Sequence, residues 1–107
     1  MALEIETLTQ DGNQIIAARG EVDLYASPAL RNAILEAITK TENTLGVDLS
    51  AVDYMDSSGV ATLVEGLKSA ANKKLAFVLV APSNSVMKVL QLSKLDTVFT
   101  IKDSLEA

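Results

Sequence analysis

Val47-Asp48-Leu49-Ser50-Ala51-Val52-Asp53-Tyr54-Met55-Asp56-Ser57-Ser58-Gly59-Val60 is the stretch that decides how the rest of the chain reads. Leu45-Gly46-Val47-Asp48-Leu49 is a short, mostly apolar run suited to a strand, and the residues from Asp53 to Gly59 are turn-forming and capping types. A helix is expected to begin near Ser57. Val60, Leu63, Val64, Leu67 and Ala71 then recur at helical spacing until Asn72-Lys73-Lys74, a cationic end that suits the helix macrodipole.

Working outward, a second helix is expected upstream. Ser27-Pro28 reads as an N-cap followed by proline at the first helical position, where the missing N–H costs nothing. Leu30, Ala33, Ile34, Ala37 and Ile38 form one apolar stripe, with Glu36 and Lys40 paired outside it. Before it, Leu3-Glu4-Ile5-Glu6 alternates with period two, and Asp11-Gly12 separates it from Ile15-Ile16-Ala17-Ala18, as in a hairpin. Downstream, Leu75-Ala76-Phe77-Val78-Leu79-Val80 is apolar without alternation, which a strand buried on both faces requires, and this strand is expected to be central. Ser83 or Asn84 caps a third helix carrying Val86, Val89 and Leu90, and Val98-Phe99-Thr100-Ile101 is the last strand. The expected class is α/β, with element order ββαβαβαβ and a short C-terminal helix allowed for. Helical connections call for a mixed, mostly parallel sheet of about five strands, with the first strand antiparallel at an edge.

Composition narrows the function. The chain has 107 residues, 49% apolar and 4% aromatic, without Pro-rich, Gly/Ser-rich or repeated segments, so 1–107 is read as one domain. Fourteen acidic against nine basic residues give a net charge of −5, which disfavours direct contact with nucleic acid or an anionic membrane. With no histidine and no cysteine, Ser-His-Asp and Cys-His machinery and the usual zinc sites cannot be assembled. No run approaches the roughly 18–20 apolar residues that cross a bilayer, and MALEIETL lacks the features of a secretory signal, so a cytoplasmic location is expected.

Two serines stand at the start of the helix after Asp56. Local chemistry allows two readings: Ser57 is the N-cap, with Ser58 in the first turn and Gly59 permitting close packing, or one hydroxyl accepts a phosphoryl group from a partner kinase. Asp56 either orients the serine hydroxyl, contacts a partner, or forms an Asx-type turn into the helix; Asp23 has a similar reading as a turn residue before Ser27. Asp48 and Asp53 are read as a solvated strand end and loop in preference to a metal pair.

Met55-Asp56-Ser57-Ser58-Gly59-Val60, preceded by Val47-Asp48-Leu49-Ser50 and, further upstream, by Gly20-Glu21-Val22-Asp23, resembles the signature of the anti-sigma factor antagonists, the bacterial single-domain STAS proteins. Val60 stands where leucine is more usual. The resemblance implies the STAS fold over nearly the whole chain, phosphorylation at Ser58, Ser57 as its helix-capping neighbour, and a partner-binding or switch loop formed by Asp23, Asp56, Ser57 and Gly59. It further implies a partner-switching cycle: the unphosphorylated protein binds an anti-sigma factor that is also a serine kinase, a sigma factor is freed, and phosphorylation ends the complex. A separate metal-dependent phosphoserine phosphatase restores the active form. In this reading the chain is a substrate and not an enzyme, has no catalytic residues, cofactor or metal, and is a monomer when free. Two alternatives stand beside it. One is a STAS subunit of a transport or stress-signalling complex. The other is a receiver-like protein holding a divalent metal at Asp48, Asp53 or Asp56, whose signature is incomplete: it needs an acidic pair after the first strand and a lysine near the last, whereas Glu4 and Glu6 lie within an alternating strand.

Overall fold

Asp11 and Gly12 both take positive φ, 53° and 81°, so the chain reverses within two residues and the hairpin pairs Gln10 with Asn13. This turn opens a computed structural model that describes residues 3–105. Its elements are β1 (Glu4–Gln10), β2 (Asn13–Val22), α1 (Ser27–Lys40), β3 (Thr44–Met55), α2 (Ser57–Asn72), β4 (Ala76–Val80), α3 (Asn84–Leu92) and β5 (Thr100–Lys102). The order is the expected ββαβαβαβ. Five strands form one sheet in the order β1-β2-β3-β4-β5, with β1 antiparallel at its edge and the remaining pairs parallel.

The helices close the core over this sheet. On α1, Leu30, Ile34, Ala37 and Ile38 are buried, and the Glu36–Lys40 pair lies outside them at 3.4 Å. α1 packs on β2 and against α2, α2 also packs on β4, and α3 rests against β3. Gly66 permits the close approach of α2: a Cβ there would sit 2.9 Å from Ile34 on α1 and 2.9 Å from the Phe77 ring on β4. At the surface, Arg31 of α1 grips both carboxylate oxygens of Glu65 on α2 at 3.0 and 2.9 Å, an exposed pair that contributes little stability by itself.

Several boundaries differ from the sequence reading. The strand expected at Leu45–Leu49 runs from Thr44 to Met55, because β2 continues to Val22 and holds β3 as a partner along that length. Between Asp48 and Tyr54 the register shifts twice, at Ala17/Arg19 and at Gly20/Glu21, each time giving β3 one more residue than β2. These bulges break the inside–outside alternation, burying Val52 and Met55 while exposing Asp53 and Tyr54, and that broken pattern resembles a loop. The central strand is β3, not β4: the buried run Phe77–Val80 reports that β4 is covered, by α2 among others, and cover does not require the middle place in the sheet. The last strand is three residues, Thr100–Lys102, and Phe99 is buried just ahead of it.

Helix ends show the same kind of difference. Ser27 is not the cap of α1. The helix already includes it, Ala26 is the N-cap, and the Ser27 hydroxyl turns back toward the Leu24 carbonyl at 3.5 Å. Pro28 does sit in the first turn. On α2 the buried stripe ends at Ala70, and Ala71, one helical step around, is exposed. For α3 the cap is Ser83: its Oγ accepts from Val86 N–H at 3.3 Å and donates to the Val52 carbonyl at 2.7 Å, which ties the helix to the bulged part of β3. No C-terminal helix forms through Leu105, whose side chain folds back over Gly46 of β3; Glu106 and Ala107 lie outside the described residues.

Filling the close contact at Gly66 tests this packing. Gly66→Val is expected to lower unfolding stability by ~1–3 kcal/mol, the usual cost of overpacking, read from urea denaturation midpoints at an unchanged m-value.

Candidate functional site

The parallel strands β2 and β3 end together at Val22 and Met55, and Asp56 extends the pairing by one bond, its N–H donating to the Val22 carbonyl at 3.2 Å. Both strands then turn directly into helices, β2 into α1 and β3 into α2. Gly59 lets the first turn of α2 press on these strand ends: a Cβ at this position would lie 2.6 Å from Met55 Cγ and 2.9 Å from Val22 Cγ1. The close packing expected of Gly59 is therefore present.

The cap of α2 is Asp56 and not Ser57. Asp56 has the extended backbone of a cap residue (φ −108°, ψ −170°), while Ser57 is already the first helical residue. Asp56 Oδ1 accepts the Ser58 N–H at 2.9 Å, and the Ser58 hydroxyl donates to the same oxygen. Both local readings of Asp56 are thus combined in one atom: it forms the turn into the helix and it orients a serine hydroxyl. The hydrogen bond from the Ser58 hydroxyl holds the Asp56 carboxyl below the ordinary aspartate pKa, opposed by partial desolvation and assisted by the N–H groups of Ser58, Gly59 and Leu24. Ser58 is half-buried. Ser57 is exposed, and its hydroxyl makes no hydrogen bond among the described residues.

Asp23 stands at the neighbouring strand-to-helix turn. Its Oδ1 accepts the N–H groups of Tyr25 at 3.1 Å and Ala26 at 2.9 Å, and its carbonyl accepts from Ser27 N–H at 2.8 Å. The turn reading of Asp23 is therefore realised, and the turn pushes Leu24 and Tyr25 outward, 67% and 91% exposed. Tyr54, paired with Glu21 at the end of β3, is 49% exposed. Sequence reading passed over these three side chains. The available signal was the Leu24-Tyr25 pair, two large apolar residues between a turn aspartate and a helix start, in neither a strand nor a helix pattern.

The carboxylates considered for a metal do not converge. Asp48 Oδ1 is engaged by Ser50, from its N–H at 2.9 Å and its hydroxyl at 2.7 Å, and Asp53 points to solvent on β3. Among the described residues no three acidic side chains are grouped to hold a metal ion, and no helix is long and apolar enough to cross a membrane.

Comparison with known proteins places this geometry. The STAS domain family model matches residues 4–107. The chain belongs to the STAS-domain family. Among its relatives, the anti-sigma-B factor antagonist of Listeria monocytogenes is 30% identical over 104 residues, covering 96% of this chain and 91% of the relative. An anti-sigma factor antagonist from Mycobacterium paratuberculosis superposes with a TM-score of 0.82 at 27% identity, covering 98% of this chain and 89% of the other. SpoIIAA, an anti-sigma factor antagonist, has been solved unphosphorylated (TM-score 0.77, 27% identity, 98% and 90% covered). The Bacillus protein is also known phosphorylated (TM-score 0.73, 25% identity, 98% and 94% covered).

The cap makes a pH-dependent prediction for this STAS domain. Asp56→Ala is expected to cost ~1 kcal/mol at pH 7, the usual value of an N-cap side chain. Because the folded pKa is lowered, the carboxylate's contribution is complete above the unfolded aspartate value of ~3.9 and is lost as pH falls through the folded value. Asp56→Asn, which can still cap, should therefore lose less stability than the wild type as pH is lowered below ~4 in urea titrations.

Proposed function

We propose that this protein is an anti-sigma factor antagonist whose binding to an anti-sigma factor is switched off by phosphorylation of Ser58. The observation that carries this reading is the arrangement around Asp56: a serine hydroxyl held at a helix start, next to the β2–α1 turn, whose Leu24 N–H faces the same carboxylate and whose Leu24 and Tyr25 side chains are exposed. Exposed apolar side chains on a turn beside a modifiable hydroxyl are suited to docking that one covalent change can veto. The relatives named as anti-sigma factor antagonists, and one such protein known in phosphorylated and unphosphorylated forms, support the same reading.

In the proposed cycle the unphosphorylated chain, a cytoplasmic monomer when free, docks on an anti-sigma factor that is also a serine kinase, and a sigma factor is released. The kinase supplies the nucleotide site, since this chain has no phosphate-binding G-x-x-x-x-G-K-[ST] loop. A separate phosphoserine phosphatase reverses the modification. Asp23, Asp56, Ser57 and Gly59 frame the switch loop around Ser58.

Electrostatics explains why one phosphate suffices. It brings about −1.5 to −2 charges and three acceptor oxygens to a chain already at −5, next to the Asp56 carboxylate. The helix N–H groups that could soften this charge are partly committed to Asp56. A partner covering the loop must desolvate the phosphate, and a penalty of ~2.8 kcal/mol already lowers affinity a hundredfold.

With the host's anti-sigma factor kinase and ATP, one phosphate per chain is expected on Ser58, mapped by mass spectrometry. Ser58→Ala should abolish it while still binding, and Ser58→Asp should bind more weakly by calorimetry; phosphate on Ser57 instead would overturn the site. Tyr25→Ala, removing the exposed ring of the turn at Asp23, should weaken binding by more than ~1 kcal/mol, about fivefold, without changing unfolding stability.

A further inference from the structure

Two adjacent serines compete at the start of α2, and accessibility ranks them the wrong way round. Ser57 is exposed, with a hydroxyl free of hydrogen bonds to the described residues, whereas Ser58 is half-buried and held. A kinase reading exposure alone would modify Ser57. Resting on the function proposed above, we infer that Asp56 is the positioning residue that makes Ser58 the phosphoacceptor, by fixing the direction of its hydroxyl through Oδ1.

The geometry supports orientation of a specific kind. Asp56 Oδ1 accepts both the N–H and the hydroxyl of Ser58, a two-point hold on a single residue. With the proton directed at the carboxylate, the two lone pairs of Oγ are left for the incoming phosphorus. A freely rotating Ser57 hydroxyl must be ordered before it can attack, and fixing a reacting group in a productive geometry lowers the barrier. The carboxylate is itself immobile, because it caps the helix and faces the N–H groups of Gly59 and Leu24.

The chemical step balances within this arrangement. A bond forms between Ser58 Oγ and the γ-phosphorus of ATP as the bond from that phosphorus to the β–γ bridging oxygen breaks, and ADP leaves with the electron pair. The hydroxyl proton, directed by Asp56 but not kept by it, leaves to water as the new bond completes. Phosphoryl transfer has a loose transition state with little bonding to the nucleophile, so the proton departs late and a strong base is not required. A carboxyl held below its ordinary pKa is a weak proton acceptor, which also assigns Asp56 to orientation.

The test uses full-length wild type and Asp56→Asn with the purified anti-sigma factor kinase of the host, ATP and Mg²⁺. Asparagine is as good an N-cap as aspartate, so the fold is kept, and unchanged circular dichroism checks this. It can still accept the Ser58 N–H, but its neutral oxygen holds the hydroxyl less firmly. The expected result is a fall in kcat for Ser58 of ~10–100-fold that exceeds any rise in KM, together with a larger share of phosphate on Ser57. A purely structural cap would leave both the kcat and the Ser57:Ser58 ratio unchanged in Asp56→Asn. That result, with the wild type modified at Ser58, overturns the role of Asp56 and leaves the proposed function standing. Wild-type protein that gains no phosphate on Ser58 overturns both.

Discussion

The pressing of the first turn of α2 onto the ends of β2 and β3 is the constraint from which the rest of the site follows. A helix that begins against two strand ends cannot leave its first N–H groups to bulk water on all sides, so one side chain must meet them. Asp56 does so, and because its own N–H is tied to Val22 it has little freedom to do anything else. Gly59 is the residue that makes the approach sterically possible, with Met55 and Val22 occupying the space a side chain would need. The position of Ser58 is a consequence: it is carried by the helix turn to the oxygen that caps that turn.

This construction joins stability to signalling in a small volume. The carboxylate that stabilises the helix is the group that holds the modifiable hydroxyl, so a phosphate on Ser58 would stand beside a charge the fold cannot easily discard. The neighbouring turn at Asp23 is built by similar chemistry, a carboxylate collecting two backbone N–H groups, and it displays Leu24 and Tyr25. Two Asx-capped turns at the carboxyl ends of adjacent parallel strands thus supply the charge-sensitive and the apolar parts of one surface. Loops at this end of an α/β sheet are where such folds place their binding groups, since the strands converge there while the core beneath stays rigid.

Elements with an uninterrupted period were legible from sequence. The stripe Leu30-Ile34-Ile38 and the Asp11-Gly12 turn report local geometry directly, and both are found where the periodicity put them. The far end of β3 was not legible, because two bulges shift its register against β2 and mix buried with exposed residues from Asp48 to Met55. Caps were half legible. Serine, aspartate and asparagine all suit the role, so composition could indicate a helix start near Ser27, Ser57 and Ser83 but could select the capping atom only for Ser83, and then only as one of two candidates.

Residue order was enough for the α/β class, the succession of elements, the edge hairpin and the motif Met55-Asp56-Ser57-Ser58-Gly59-Val60, since all of these depend on neighbours within a few positions of the chain. The choice of Asp56 over Ser57 as cap, the middle place of β3 and the approach of the Leu24 turn to Asp56 depend on contacts between segments far apart in sequence. Those contacts are set by how β2 and β3 pair and where they end. No local pattern carries that information, because a strand's partner and its register are properties of the assembled sheet.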